Sequence, residues 1–141
     1  AAQPRERAPR MATKQRPLSP HLQVYRWQIQ MMTSIIHRAT GIILSLGALL
    51  IAAALMAMAT GPEAWDHVRS LAGSWPGLVV LFGWTWAFAY HLLNGIRHLL
   101  QDAGYGFSIP AFIRNGWLSV IGSLLLTGVI WGAVAARGGW L

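Results

Sequence analysis

The sequence has no cysteine and few charged residues. Without cysteine the chain cannot form a disulfide, ligate an iron–sulfur cluster or bind haem through a thiolate, so any metal must be held by histidine or oxygen ligands. Only 11% of the 141 residues are charged, whereas 55% are hydrophobic. That balance is too apolar for a soluble domain of this size. The first 30 residues contain no apolar run of the kind found in a cleavable signal peptide.

Charge is absent from three long stretches, at residues 39–60, 70–96 (with histidine taken as neutral) and 115–136. Each is long enough for a bilayer-spanning helix, which needs about 20 residues. We therefore predict an all-α membrane protein with three transmembrane helices, at about 36–60, 76–100 and 115–136. Residues 16–141 form this three-helix membrane anchor and begin with an interfacial segment, whereas residues 1–15 form a basic, disordered tail.

Basic residues are concentrated before the first span, and this predicts an orientation. Seven of the eleven Lys and Arg residues lie at or before Arg38. With three spans, Arg97 and Arg114 fall on the same side, which makes nine, whereas Arg69 and Arg137 fall on the other. The positive-inside rule then places the N-terminus on the cytoplasmic or matrix side. The net charge of +7 thus reflects membrane topology and contact with lipid, and we expect no nucleic-acid partner.

The second predicted span ends in a polar stretch, although polar groups are costly within a bilayer. On a helix, the positions i, i+3, i+4, i+7 and i+11 share one face. Here they are His91, Asn94, Gly95, His98 and Asp102. His91 lies about 15 Å along the axis from the inner end of the span, at 1.5 Å per residue. An imidazole at that depth favours a ligand or proton-transfer role over simple packing.

A second polar patch lies at the start of the first span. Ser34, His37 and Arg38 are spaced i, i+3, i+4 and so share a helical face. An isolated arginine at this position would extend to lipid phosphate. Three polar groups on one face instead indicate a polar ligand. Because the first span starts on the side where the second ends, both patches are expected in one leaflet.

The two patches together suit a b-type haem, which needs an axial imidazole inside the bundle and cations near its propionates. His91 suits the first requirement, and His37 and Arg38, with Arg97 or His98 as further candidates, suit the second. His98 lies about 10 Å from His91 on the same helix face, so the two cannot bind opposite sides of one iron. The second ligand must come from His37 or from another chain, and we favour a partner protein because His37 is close to the interface.

Three segments, RPLSPHLQVYR, SIIHRATG and HLLNGIRHLLQD, strongly resemble the cytochrome b membrane anchor of succinate dehydrogenase, respiratory complex II. The resemblance covers most of the chain, from about Arg16 through the third span, and its two signatures, S-x-x-H-R-x-T/S-G and H-x-x-x-G-I-R-H, are specific together. It implies an anchor that pairs with a second three-helix anchor and holds a flavoprotein and an iron–sulfur subunit on the membrane. Electrons then pass from succinate to ubiquinone.

The resemblance also implies roles for individual residues. His91 corresponds to an axial ligand of a haem b shared with the second anchor, which supplies the other histidine. The implied quinone-binding residues are Ser34, Arg38 and Asp102, and those near the haem and its propionates are His37, Arg38, Gly95, Arg97 and His98. No catalytic residue is expected, because the chain lacks a flavin-binding glycine pattern and cluster cysteines.

Three alternatives remain open from the sequence. The chain could be a haem-free structural anchor of the same complex, the anchor of a quinol:fumarate reductase, or a small proton-coupled carrier that acts alone. The Ala, Gly and Arg usage favours a bacterial inner membrane, with the mitochondrial inner membrane as the alternative.

Overall fold

The computed structural model describes residues 29–138, and this part of the chain is almost entirely helical. Its elements are α1 (Ile29–Thr60), α2 (Pro62–Gly73), α3 (Trp75–Asp102) and α4 (Ile109–Ala136). The helices α1, α3 and α4 are each long and apolar enough to cross a membrane. The prediction of an all-α membrane protein with three spanning helices is therefore confirmed. The predicted basic tail and most of the interfacial segment lie outside the described residues, and the last part of that segment, from Ile29, belongs to α1.

The three spanning helices extend beyond the predicted apolar limits. Helix α1 already includes Ile29, whereas we predicted a span from about residue 36, and α4 begins at Ile109 rather than near residue 115. Ser108 caps α4 by accepting a hydrogen bond from the Ala111 amide at 3.3 Å. Pro110 lies in the first turn of α4. Proline is tolerated there because a first-turn residue has no intrahelical acceptor for an N–H.

The segment between the first two spans, which we expected to be a loop, contains the short helix α2. Pro62 occupies its first turn and Glu63 lies beside it, where a negative charge interacts favourably with the helix dipole. Only Ser74 separates α2 from α3. The turn is so tight that a Cβ on Gly77 would overlap the Leu71 carbonyl oxygen. This turn holds α2 against the start of α3.

The interior of the bundle is polar and its outer surface is apolar. Helix α3 packs against both α1 and α4. The side chains buried between the helices are small or polar, and they are Thr33, Thr40, Ala87, Ala89, Tyr90, Asn94, Arg97, Gln101, Ser119, Ser123 and Thr127. Large aliphatic side chains point outward, for example Leu49, which is 68% exposed, and Leu125, which is 66% exposed. In lipid, helices associate through close packing and hydrogen bonds, because the surrounding lipid tails are as apolar as leucine.

Glycine allows α1 and α3 to pack closely at two levels. The indole of Trp84 lies directly against the backbone of Gly47, where a Cβ would overlap the ring. Earlier in α1, a Cβ on Gly41 would lie 3.1 Å from Cε1 of His91. Small residues at these two positions let the neighbouring helix approach the backbone closely. Ser45, which lies between the two glycines in sequence, is exposed.

Candidate functional site

Three histidines from two helices meet at the end of the bundle where α1 begins and α3 ends; we call them the histidine cluster. The rings of His37 and His91 are stacked, with centroids 4.0 Å apart and an interplanar angle of 7°. The ring of His98 is tilted against His37, with centroids 5.4 Å apart. Gly95 lies beside them, since its Cβ would be 3.8 Å from Cε1 of His37. The two polar patches predicted separately are thus brought together.

His91 is held by acceptors on α1. Its Nδ1 lies 3.2 Å from the carbonyl oxygen of His37 and 3.2 Å from Oγ1 of Thr40. The Thr40 hydroxyl donates its own hydrogen to the same His37 carbonyl at 2.9 Å, so its oxygen is free to accept. Of the two neutral tautomers, this arrangement favours the one with the proton on Nδ1. The lone pair on Nε2 is then available for a metal, which is the usual arrangement of a metal-binding histidine.

The histidine cluster fits a haem that is ligated by one imidazole of this chain. His91 is oriented, favours the required tautomer and is only half-buried. Two axial imidazoles bind one iron through nitrogen atoms on opposite faces of the macrocycle. Parallel rings stacked at 4.0 Å leave no space for a macrocycle between them, so the observed geometry does not suit His37 as the second ligand. Within residues 29–138 no three His, Asp or Glu side chains, those of the histidine cluster included, are placed to hold one metal ion together.

His37 has a second feature that suits a polar ligand. Its Nδ1 is buried and has no hydrogen-bond partner among the described residues. A buried nitrogen of this kind is costly unless an outside group binds it. His37 is therefore a candidate contact for a carboxylate brought to the cluster.

The predicted quinone-binding residues border the histidine cluster. Ser34 is half-buried and Arg38 is exposed, and they lie one turn apart on α1 on either side of His37. Asp102 is the last residue of α3 and is exposed. All three lie at the same end of the bundle. Their roles in quinone binding stay predictions.

Arg97 lies inside the bundle and not at the membrane surface where we counted it. It is 7% exposed. Its Nη1 donates to Oδ1 of Asn94 at 2.8 Å and to Oγ1 of Thr33 at 3.2 Å. The Tyr90 hydroxyl donates to the Thr33 carbonyl oxygen at 2.9 Å, and the Arg97 guanidinium lies 5.9 Å from the ring centre of Phe112 on α4. Arg97 thus connects all three spanning helices.

Helix α3 therefore has two polar faces where we predicted one. The internal face consists of Tyr90, Asn94, Arg97 and Gln101, all of which are buried. The other face consists of His91, Gly95, His98 and Asp102, which are half-buried or exposed. Assigning Asn94 to the histidine face was wrong, because it is 0% exposed and binds Arg97. The internal face has the same spacing, i, i+4, i+7, i+11, and this signal could have revealed it.

Thr40 contacts His91, and the sequence did not predict this contact. It lies three residues after His37 in the segment SIIHRATG, and a buried threonine in a membrane helix usually bonds to its own backbone. It does so here, and it also contacts His91. That second contact depends on how α1 and α3 pack.

Comparison with known proteins gives a consistent result. The family described as succinate dehydrogenase/fumarate reductase transmembrane subunit matches residues 12–130. The chain is 45% identical over 111 residues to a succinate dehydrogenase cytochrome b556 subunit of Paracoccus denitrificans, covering 79% of this chain and 85% of that one. It is 41% identical over 117 residues to the cytochrome b556 subunit of Rickettsia felis, covering 82% and 90%. It is also 41% identical over 113 residues to the mitochondrial cytochrome b560 subunit of Sus scrofa, covering 78% and 66%.

Proposed function

The chain belongs to the succinate dehydrogenase/fumarate reductase transmembrane subunit family, and we propose that it is the haem b-binding anchor of a succinate:ubiquinone oxidoreductase. Its three spanning helices and its bacterial and mitochondrial relatives identify it as an inner-membrane protein. In the proposed complex it anchors the flavoprotein and iron–sulfur subunits and contributes to the site of quinone reduction.

The orientation of His91 is the observation on which the proposal rests. Its Nδ1 is engaged by the His37 carbonyl and the Thr40 hydroxyl, which leaves Nε2 as the ring nitrogen that would bind iron. When bound, haem b would supply one-electron transfer at this position. The stacking of His37 on His91 argues against His37 as the second ligand of the iron, and a histidine of the partner anchor would take that role. The Nδ1 and Nε2 atoms of one imidazole thereby have separate roles, one fixing the ring and the other binding iron.

The remaining residues of the histidine cluster would hold the haem in place. The Nδ1 of His37, which has no hydrogen-bond partner within residues 29–138, is suited to a propionate oxygen, and Arg38 and His98 add donors at the same end. Gly95 leaves space beside the His37 ring. Arg97 is next to His98 in sequence, but its side chain lies on the internal face of α3 and donates to Asn94 and Thr33. We therefore assign it no direct contact with the haem, only an electrostatic effect of its positive charge.

The quinone would bind beside this cluster. Reduction of a quinone to a quinol consumes two electrons and two protons, so its carbonyl oxygens need hydrogen-bond donors that can be reprotonated. The Ser34 hydroxyl can donate to one carbonyl, and the fixed positive charge of Arg38 stabilises negative charge as it develops. Asp102 is exposed at the same end, where it can take up protons from the aqueous side.

Succinate oxidation would take place in the partner subunits. The chain has no cysteine for an iron–sulfur cluster, and residues 29–138 contain no strand of a dinucleotide-binding fold. The chain would therefore act as a non-catalytic subunit towards succinate. The half-buried histidine face leaves a surface on α1 and α3 for the second anchor.

The haem assignment is tested by replacing His91 with leucine in the whole complex. We expect the reduced-minus-oxidised spectrum to lose the haem b bands, because one axial ligand is removed. The matched control is His67→Leu, which replaces an exposed histidine on α2 and should leave the spectrum unchanged. Co-purification of the other subunits reports assembly. An unchanged spectrum in the His91 variant would refute the axial assignment, and a wild-type complex without haem would favour the purely structural anchor.

The quinone assignment is tested by Ser34→Ala and Arg38→Leu. Loss of a positioned donor typically lowers turnover by roughly 10²-fold, and we expect a fall of that order in succinate-dependent ubiquinone reduction. Electron transfer from succinate to a soluble dye reports the hydrophilic subunits and should not change. Ser45→Ala is the matched control, since Ser45 is an exposed serine of the same helix that bonds only to its own backbone among the described residues. Normal ubiquinone reduction in both variants would rule out the assigned site.

A further inference from the structure

A cleft of about 330 Å³ lies between α3 and α4, at the end of the bundle where α3 ends and α4 begins. Its polar part is formed by Arg97 and Gln101 of α3 and by Arg114, Asn115 and Ser119 of α4. It is separate from the histidine cluster, because that cluster lies between α1 and α3. None of the functions proposed above uses this cleft.

The polar part of the cleft is rich in hydrogen-bond donors and poor in negative charge. Among residues 29–138, two guanidinium groups line it and no aspartate or glutamate does. Arg97 is 7% exposed and Gln101 is 8% exposed. The Nε of Arg97 and the Nε2 of Gln101 are buried without an acceptor among the described residues. Buried donors and a buried cation need a partner, so this part of the cleft is complementary to an anion.

The other wall of the cleft is apolar and continues along the outside of the bundle. It is formed by Leu93, Ile96 and Leu100 of α3 and by Leu118 of α4. Ile96, Leu100 and Leu118 are 45%, 52% and 57% exposed. A small soluble anion would contact only the donor end. A molecule with an anionic head and a hydrocarbon chain would contact both parts.

We propose that this cleft binds an anionic phospholipid, with its phosphate at the guanidinium and amide donors and an acyl chain along the leucine and isoleucine wall. Arginine guanidinium and amide N–H groups are well suited to phosphate oxygens. Basic pockets between spanning helices favour anionic head groups for the same reason. The inference does not depend on haem binding, since the cleft and the histidine cluster share no lining residue.

The test measures phospholipid binding to the whole purified complex by native mass spectrometry, with phosphatidylglycerol and phosphatidylcholine titrated separately. We expect preferential retention of phosphatidylglycerol. Arg114→Gln should lower its affinity about fivefold, the usual effect of one basic residue near an anionic lipid, and the loss should shrink at high salt. Arg137→Gln is the matched control, because Arg137 is exposed at the opposite end of α4. It should retain wild-type affinity.

Gln101→Leu provides an independent second variant. It removes a buried amide donor without changing charge, and it should also weaken phosphatidylglycerol binding. Co-purification of the partner proteins and an unchanged circular dichroism spectrum of the complex serve as checks that each variant has folded and assembled. If both variants bind phosphatidylglycerol as tightly as Arg137→Gln does, the proposal is wrong.

Two further arms separate the lipid from other anions. In the first arm, inorganic phosphate is titrated into the delipidated complex. The lipid proposal fails if Arg114→Gln weakens phosphate binding to the same degree and the complex does not prefer phosphatidylglycerol to phosphatidylcholine. The site would then bind a soluble anion. An acidic segment of a partner protein is the other competitor. In that case Arg114→Gln would weaken retention of that partner and leave lipid binding unchanged, which also overturns the proposal.

Discussion

The contact between Gly47 and Trp84 gives the sharpest prediction about the fold. Gly47→Ala adds one carbon atom at a position where the Trp84 indole already occupies the space. Either the indole rotates away or α1 and α3 separate. Overpacking of this kind costs about 1–3 kcal/mol. Alanine is more favourable than glycine in a helix by about 1 kcal/mol, so we expect a net destabilisation of about 0–2 kcal/mol.

Gly132→Ala separates these two effects. Gly132 lies in α4 and a Cβ there would have no atom within 4 Å, so the variant should show only the gain in helix propensity. The difference in the free energy of unfolding between the two variants then reports the steric overlap, and it should be about 1–3 kcal/mol. The assay is equilibrium unfolding of the full chain in mixed micelles, followed by tryptophan fluorescence and circular dichroism.

A compensating substitution identifies the cause. Adding Trp84→Leu to Gly47→Ala removes the ring that the new carbon would meet, so part of the lost stability should return as a favourable coupling energy. If Gly47→Ala is as stable as Gly132→Ala, the indole does not lie against α1 as described. An absence of coupling in the double variant would contradict the reasoning in the same way.

Three further predictions concern single contacts. Thr40→Val removes one acceptor of the His91 Nδ1 and should lower haem affinity about 10–100-fold, measured by haem retention. The control is Thr85→Val, which should leave haem affinity unchanged because the Thr85 hydroxyl bonds only to its own helix among the described residues. Tyr90→Phe removes a buried hydrogen bond to the α1 backbone and should destabilise the fold by about 0.6 kcal/mol, and by no more than about 2 kcal/mol. The same unfolding assay measures this loss, and an unchanged free energy of unfolding would show that the bond contributes nothing. Gly77→Ala meets the Leu71 carbonyl in the turn between α2 and α3 and should reduce membrane accumulation of the chain, whereas an unaffected yield would contradict so tight a turn.

The number and approximate positions of the spanning helices could be predicted from residue order alone. Lipid requires about 20 consecutive apolar residues for each crossing, and the charge-free runs satisfy that condition directly. The exact ends could not be predicted from hydropathy, because helix propensity and capping continue past the apolar run. Ser108 and Pro110 start α4 six residues before the predicted position. The same limit concealed α2, whose mixed polar composition is compatible with either a loop or an interfacial helix.

The candidate site was predicted in part. The sequence placed His37 and His91 at one end of the bundle, and the structure stacks their rings. It did not predict the Thr40 contact that orients His91, nor that Asn94 turns away from the histidines. Both depend on the rotation of α3 about its own axis. Spacing along one helix determines the angle between two of its side chains, but not which of them meets a neighbouring helix.

The sequence by itself determined that this chain crosses a membrane three times and that α3 has polar residues at bilayer depth. Helical periodicity also determines that His91 and Arg97 lie about 120° apart, at 100° per residue. Only the tertiary structure decided that Arg97 turns inward, towards Thr33 and Asn94, and that His91 remains on an accessible face. The physical reason is that exposure to lipid is costly for both polar faces of α3, the one with Arg97 and the one with His91. Packing against α1 and α4 selects which polar face is satisfied within the chain and which is left for a ligand or partner.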